Sequence, residues 1–291
     1  MKLGDISVNH VNALLSTLDA LGGNAKELTQ DFNLSAAKLA QPEGRISIPR
    51  FMRLGFRAIE QINCPDLGLE MGKQMKLPTL GLTGFLATTS KDIETACTVL
   101  AHYERLSGSN SRGQSSFYLE NSKGVSRFYS ISPYNEYNLF LVDSVLAANK
   151  KILETLCGKK QILEHVEVEF SAPSYAKKYE DYFQCPVLFA QERNALIIKQ
   201  DALNWPMLNH NKNTFLNLQE ICDTRLAQVT KDRELDEKVM DEISPLLEGQ
   251  TPSIHQVADN LGIPPWTLRR KLQEQNTSFQ QLLNDTRKAL A

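Results

Sequence analysis

Three side chains near the carboxyl end have the types and the spacing to read a DNA duplex. Trp266, Arg269 and Arg270 stand at positions i, i+3 and i+4, which places them on one face of a helix. A guanidinium group can donate two hydrogen bonds to the O6 and N7 atoms of guanine, and an indole ring can lie against a thymine methyl group or a sugar. The hydroxyl of the neighbouring Thr267 can contact a phosphate or a base. The pattern predicts a helix that reads DNA.

The flanking residues predict that this face belongs to a helix-turn-helix. The apolar residues at helical spacing are Ile254, Val257, Ala258 and Leu261 in a first helix, and Leu268 and Leu272 in the second. Ser253 is a suitable N-cap for the first helix, and Gly262 follows its last apolar residue, where glycine best adopts a left-handed conformation. Pro264 and Pro265 cannot continue that helix, but a proline can open the next one. A second helix in this position enters the major groove in known helix-turn-helix proteins.

The charge of this segment supports the same interpretation. Residues 263–288 contain five basic and two acidic side chains. The alternative is a pair of core helices with a solvated Arg-Arg-Lys run at residues 269–271, because most charge runs form ordinary solvated faces. The ordered caps, the glycine turn and the outward position of Trp266 favour DNA binding over that alternative.

The overall composition is that of a globular protein with ordinary charge. The chain has 291 residues, of which 42% are hydrophobic and 23% charged, and its net charge is −2, so any DNA binding must be local. Five scattered cysteines form no CxxC pair and predict no disulfide framework. Neither a signal peptide nor a membrane-spanning apolar run is present, which predicts a cytoplasmic protein without membrane contact.

Periodicity predicts an α+β fold in three parts. Residues 1–207 form an N-terminal domain, helical over 1–75 and mixed α/β over 76–207. Within it, residues 80–84 are expected to be loop or close-packed backbone, Thr89 and Ser90 to cap a helix, and residues 117–131 to form a β-hairpin. A linker helix is predicted over 208–234, and an all-α DNA-binding domain over 235–291.

No catalytic, cofactor or metal motif is present. The sequence lacks HExxH, Walker-type, GxGxxG and GxSxG patterns. His102 with its neighbours is interpreted as an ordinary polar helix end, and Glu167 and Glu169 as a solvated strand face rather than an acid/base pair. Tyr129, Tyr134 and Tyr137 could line a cavity or belong to the edge of the core. We therefore expect neither an enzyme nor a bound cofactor or metal.

The carboxyl-terminal pattern resembles the first helix-turn-helix of the AraC/XylS family of transcription regulators. The matching residues are Ser253, Val257, Ala258, Leu261, Gly262, Leu268, Arg270, Leu272, Thr277, Ser278, Phe279 and Leu282. The resemblance implies that Trp266, Thr267, Arg269 and Arg270 face DNA. The family usually has serine where this chain has Pro264. Members carry two such units joined by a long helix, so we expect this chain to be truncated after the first unit and to bind DNA weakly.

The N-terminal part is similar to the arabinose-binding-type effector domain of one AraC/XylS subgroup. The similarity rests on residues 80–85 (LGLTGF), 101–105 (AHYER) and 179–189 (YEDYFQCPVLF), followed by Asn194. It implies a domain that binds a small-molecule effector of unknown identity, forms a homodimer, or does both. No effector-binding residue is predicted.

The resulting hypothesis is a cytoplasmic, sequence-specific regulator of transcription that binds double-stranded DNA and responds to a small molecule. Two alternatives remain open. The first is a protein-interaction adaptor that does not bind DNA, and the second is an enzyme with an unrecognised site in the α+β domain.

Overall fold

The computed structural model describes residues 4–41, 44–110, 113–130, 136–231, 235–247 and 251–290. Its architecture is mixed α+β, as predicted. The described residues form two large apolar cores, one before and one after residue 232, and a small cluster of Val125, Ala195 and Ile197.

The amino-terminal part is mostly helical. Its helices are α1 (Val8–Ala20), α2 (Ala25–Asp31), α3 (Ala36–Leu39), α4 (Ile48–Ile62) and α5 (Leu67–Lys73). The apolar stripe of α4 buries Phe51, Leu54 and Ala58. A small antiparallel sheet was missed: β1 (Gly4–Ser7) lies between β2 (Arg45–Ser47) and β3 (Gly108–Asn110). This sheet ties the start of the chain to its middle.

The mixed part consists of helices around a five-stranded sheet. The strands are β4 (Gly113–Glu120), β5 (Lys123–Ser130), β6 (Leu163–Glu167), β7 (Val187–Leu188) and β8 (Ala195–Ile198), in the order β4-β5-β8-β6-β7. Every pairing is antiparallel except β6 with β7. The predicted hairpin is confirmed as β4 and β5, joined by Asn121 and Ser122 at φ of 50° and 64°. Residue 131 of that prediction lies outside the described residues.

The helices of this part cover the sheet and the amino-terminal helices. They are α6 (Gly81–Thr89), α7 (Ile93–His102), α8 (Glu104–Ser107), α9 (Glu136–Cys157) and α10 (Ala176–Phe183). The long helix α9 packs closely against α5. The approach is so close that a Cβ atom added at Gly68 would lie 2.4 Å from the carbonyl oxygen of Phe140. These packed helices form the walls of the cavity described below.

Two predictions in this region were wrong. Residues 81–84 are helical, since they open α6, although the backbone at Gly84 is closely packed as expected: an added Cβ would lie 2.3 Å from the oxygen of Leu77. Thr89 ends α6 instead of capping the next helix. The N-cap of α7 is Asp92, whose carboxylate accepts hydrogen bonds from both the backbone N–H and the hydroxyl of Thr95.

The helix α11 (Lys212–Lys231) follows the α+β part and packs against it. Cys222 in its middle is fully buried, and the hydroxyl of Tyr103 donates a hydrogen bond of 2.5 Å to Oδ1 of Asp223. The helix is therefore held along part of its length by the domain that precedes it.

The carboxyl-terminal part is all-α and has its own core. Its helices are α12 (Leu235–Ile243), α13 (Ile254–Asn260), α14 (Pro265–Glu274) and α15 (Phe279–Leu290). The buried residues are Val239, Met240, Ile243, Val257, Ala258, Leu268, Leu272, Leu282 and Leu283. Among the described residues of the whole chain, no helix is long and apolar enough to cross a membrane.

Candidate nucleic-acid interface and effector cavity

Local capping holds the helix-turn-helix in place. The hydroxyl of Ser253 accepts a hydrogen bond from the N–H of Gln256 (3.2 Å), and the Gln256 side chain accepts one from the N–H of Ser253 (3.0 Å). This capping box satisfies two backbone donors that a helix end would leave unpaired. Gly262, at φ 65°, ends the first helix in the left-handed conformation, as predicted.

Two prolines begin α14. Pro264 occupies the N-cap with φ −60° and ψ 143°, and Pro265 is the first helical residue. Since proline at the N-cap has no side-chain acceptor, no cap hydrogen bond forms there. The fixed φ of Pro265 suits the first turn, where its missing N–H would be unpaired in any case.

The buried side of α14 determines which side chains face outward. Leu268 and Leu272 are completely buried against the neighbouring helices. Trp266 is 73% exposed, Arg269 and Arg270 are exposed, and Thr267 is partly exposed. An indole with nearly three quarters of its surface in water is not part of a core. The structure therefore places the four predicted side chains at or near the surface of one helix.

One of the two arginines already has a carboxylate neighbour. Nη1 of Arg270 lies 3.4 Å from Oε1 of Glu274 on the next turn, and both side chains are well over half exposed. Such exposed pairs contribute little free energy, so a stronger anionic partner can displace Glu274. Among the described residues, Arg269 forms no ion pair. Both guanidinium groups are available to a phosphate or a base edge.

A second feature is a cavity of about 160 Å³ lined mainly by the α+β part. Its wall is mostly apolar and is contributed by α1, by α4 to α9, by strands of both sheets and by Asp241 of α12. The apolar lining includes Phe51, Met71, Leu100, Phe128, Ile152 and Leu153. The ionisable groups in the wall are Asp5, His10, Glu104, Arg105 and Asp241. Concave, mostly apolar cavities with a few polar groups are the usual form of small-ligand sites.

Glu104 is a carboxylate held in the wall by neutral groups. Its Oε1 accepts a hydrogen bond of 2.6 Å from the hydroxyl of Ser115, and its Oε2 accepts one of 2.7 Å from the N–H of the same residue. Loss of hydration raises the pKa of Glu104, against the lowering effects of Ser115 and of the neighbouring Arg105. The site thus contains a desolvated carboxyl group with no ion-pair partner among the described residues.

His10 is a buried, uncharged group in the same wall. Burial and, to a smaller extent, the positive charge of Arg45 lower the pKa of His10 to about 4, against a hydrogen bond with the backbone of Ser7 that raises it, so the imidazole is neutral at physiological pH. Its Nδ1 atom is buried and has no hydrogen-bond partner among the described residues. A buried polar atom without a partner is costly, and a bound molecule can satisfy it.

The other two carboxylates of the wall are paired. Nη1 of Arg45 lies 2.6 Å from Oδ1 of Asp5, and Nη2 of Arg105 lies 3.7 Å from Oδ2 of Asp241. Asp241 belongs to α12, so the carboxyl-terminal part contributes one group to the cavity. This ion pair is a direct contact between the two parts of the chain.

The remaining candidates from the sequence are structural. Glu167 accepts a hydrogen bond of 2.5 Å from Nε of Arg193, and it lies 3.1 Å from Nε2 of His165. Burial raises the pKa of Glu167, but the two partners together lower it by more, so the net shift is downward. Glu169 contacts the side-chain amide of Asn194 at 3.1 Å. Both carboxylates are partly buried and contact neighbouring charges and amides. This strand face is therefore less solvated than predicted.

The tyrosines gave mixed outcomes. Tyr129 lines the cavity, and the side chains of Tyr134 and Tyr137 lie outside the described residues. His102 is exposed and only touches the ring of Tyr103 edge-on. No cluster of three or more metal-ligating side chains occurs in the part of the chain that the structure describes.

Comparison with known proteins identifies the family. A profile described as the arabinose-binding domain of AraC transcription regulators, N-terminal, matches residues 22–207, well over half of the chain. The chain belongs to the AraC family of transcription regulators. Members of this family are regulators rather than enzymes, and they bind DNA and small-molecule effectors.

Two known proteins are similar to the chain over most of its length. The "Ornithine utilization regulator" of Pseudomonas aeruginosa is 25% identical over 98% of this chain and 84% of its own length. The crystal structure of the transcriptional regulator CdpR from Pseudomonas aeruginosa is similar with a TM-score of 0.52 and 16% identity, over 90% of this chain and 81% of that chain. The second similarity concerns the fold alone.

Sequence reasoning missed the residues of the cavity. The segment 101–105 was interpreted as an ordinary helix end, whereas Tyr103 binds α11, Glu104 lines the cavity and Arg105 pairs with Asp241. One signal was present, because the same five residues carry part of the resemblance to the effector-domain subgroup.

Proposed function

We propose that α14 is the DNA-recognition helix of this AraC-family regulator and that Trp266, Thr267, Arg269 and Arg270 contact base edges or phosphates. The observation that carries the proposal is the outward orientation of these side chains on a helix whose other face is anchored by Leu268 and Leu272. Arginine is the residue that most often reads guanine in the major groove.

We propose that the cavity binds the small-molecule effector. In this division, residues 1–207 bind the effector, 208–234 form the connecting helix, and 235–291 bind DNA. Ligand binding biases DNA binding only if it favours one arrangement of the two parts over another. A wall that includes a residue from each part, Glu104 and Asp241, supports such a dependence, since a ligand there contacts both parts.

We further propose that the protein works in the cytoplasm as a homodimer. The described residues contain one helix-turn-helix, and a two-fold axis would place two copies of α14 in successive major grooves roughly 34 Å apart. Light scattering coupled to size exclusion measures the mass directly. A monomer on DNA as well as free in solution would contradict the dimer.

A selection from random duplexes followed by anisotropy titration tests DNA reading. We expect Arg270→Ala to lose about 1–3 kcal/mol of discrimination at one base pair. Equal loss on every sequence would assign Arg270 to a phosphate, in which case the salt dependence falls by about one phosphate contact. Arg57→Ala, an exposed arginine on α4, is the matched control. No salt-dependent affinity for any duplex would reject DNA reading and favour the adaptor alternative.

A further inference from the structure

We propose that the cavity binds a small molecule carrying a protonated amine, whose ammonium group pairs with the carboxylate of Glu104. This inference deepens the proposed role of the cavity as effector site and rests on it. It specifies the charge, the size and the polarity of the ligand from the groups in the wall.

The volume sets the size of the ligand. An engineered cavity of about 150 Å³ accommodates benzene, so 160 Å³ has room for roughly six to ten non-hydrogen atoms. The wall is largely apolar, with Phe51, Leu100 and Ile152 among its members. Long acyl chains and disaccharides exceed this space, and a compact molecule with a short hydrocarbon segment fits it.

The charges set the polarity of the ligand. The wall contains three carboxylates, Asp5, Glu104 and Asp241, against one guanidinium group, that of Arg105. Asp5 and Asp241 each have an arginine partner, whereas Glu104 accepts hydrogen bonds from the hydroxyl and the N–H of Ser115. A cation in the cavity would offset the excess negative charge at the one carboxylate that lacks an ion-pair partner among the described residues.

The hydrogen-bonding groups agree with this choice. A carboxylate accepts about four hydrogen bonds, so Glu104 has capacity beyond the two that Ser115 donates. The buried Nδ1 of His10 also lacks a hydrogen-bond partner among the described residues. An ammonium group has three donors and no acceptor, and thus matches acceptors only. A carboxylate ligand would instead face Glu104 and Asp5, and a neutral alcohol would leave the charge uncompensated.

Isothermal titration of the whole chain with three molecules of equal carbon number tests the inference. The probes are 1,4-diaminobutane, butane-1,4-diol and succinate, and short primary alkylamines extend the amine series. We expect amines to bind and the diol and the diacid to bind at least tenfold more weakly. Tighter binding of succinate or of the diol would overturn the inference, as would absence of binding by every amine in the series.

Variants locate the site. Glu104→Gln keeps the shape but removes the charge, and we expect amine affinity to fall about ten- to hundredfold, the usual range for losing one charged hydrogen bond. Glu104→Asp keeps the charge and should lose less. The exposed Glu192→Gln is the matched control and should bind like the unchanged protein. Unaltered affinity in Glu104→Gln would place the amine elsewhere and overturn the inference.

A pH series on the unchanged protein covers the case in which Glu104→Gln does not fold. The groups around Glu104 are Ser115 from β4, Arg105 beside it, and His10, Asp5 and Asp241 in the wall. Since desolvation raises the pKa of Glu104, amine binding should strengthen as the pH rises through that pKa. Affinity that falls over this range would overturn the inference. These titrations contain no DNA, so their failure leaves the proposal for α14 untouched, and failure of the DNA titration leaves amine binding intact.

Discussion

Arg105 and Asp241 form an ion pair, with Nη2 3.7 Å from Oδ2, that joins α8 of the effector part to α12 of the DNA-binding part. Both residues also line the cavity. A ligand in that cavity therefore lies beside a contact between the two parts. If DNA binding alters this contact, the ligand and DNA change each other's affinity by the same factor, because coupling between two binding sites is reciprocal.

Asp241→Asn should uncouple effector from DNA. The pair is only partly exposed, so we expect about 0.5–1 kcal/mol of coupling to disappear, corresponding to a few-fold loss in the ligand-induced change of DNA affinity. DNA titrations with and without saturating 1,4-diaminobutane measure the difference. Asp181→Asn, which removes an exposed carboxylate near Lys177, is the control. An unchanged ligand effect in Asp241→Asn would show that another contact transmits the signal.

Glu274→Gln should tighten DNA binding. The change removes the carboxylate that lies 3.4 Å from Arg270 and also removes one negative charge near the phosphates. Since an exposed pair of this spacing contributes about 0.3–0.5 kcal/mol, we expect roughly a two- to threefold gain in affinity at low salt. Anisotropy titrations at two salt concentrations measure it. Weaker binding would mean that Glu274 positions Arg270 instead of competing for it.

Gly262→Ala should destabilise the DNA-binding part through the backbone alone. Gly262 has φ 65°, and no atom lies within 4 Å of an added Cβ, so there is space but unfavourable backbone geometry. We expect a loss of about 1 kcal/mol in the free energy of unfolding for alanine, and less for asparagine, which tolerates this conformation better. Urea denaturation followed by circular dichroism measures both. Equal losses for the two residues would indicate a cause other than the left-handed backbone.

Asp143 should make stability fall as the pH rises. Burial raises the pKa of Asp143 to about 7 against hydrogen bonds from Tyr179 and Tyr175 that lower it, and the nearby Asp66 carboxylate acts in the same direction as burial. Asp66 is itself paired with Lys178. The unfolded pKa is about 3.9, so between about pH 4 and pH 7 the folded state holds a proton that the unfolded state has lost. The contribution of Asp143 to stability is therefore present at low pH and is lost as the pH approaches 7.

Urea denaturation from pH 5 to pH 8 in the unchanged protein and in Asp143→Asn isolates this contribution. The difference between the two proteins should change by up to about 1.4 kcal/mol per pH unit below pH 7 and level off above it. Glu180→Gln, on the exposed side of α10, serves as the control. A difference that does not vary with pH would show that Asp143 titrates in its ordinary range.

The helix-turn-helix could be predicted because its determinants are local. The cap at Ser253, the turn at Gly262 and the inward pair Leu268 and Leu272 lie within twenty residues of one another, and each acts through its immediate neighbours. Helical periodicity then determines that Trp266 points outward. The orientation of these side chains follows from the sequence, whereas contact with DNA is a proposal that a titration must test.

The cavity could not be predicted because its groups come together only in the tertiary fold. Asp5, Glu104 and Asp241 are separated by about a hundred residues or more, and no local pattern links them. The small sheet of β1, β2 and β3 escaped notice for a related reason. Its strands have three or four residues, too few for an alternating pattern, and they pair the ends of distant segments.

The participation of Asp241 in the cavity wall has a practical consequence for screening. A compound library tested against an excised effector fragment would be screened on a pocket that lacks the carboxylate of Asp241. The pocket of such a fragment would be less negative than that of the whole chain. Basic compounds would therefore bind it more weakly and be ranked too low. Chemical genetics on this regulator should therefore begin with both halves of the polypeptide present.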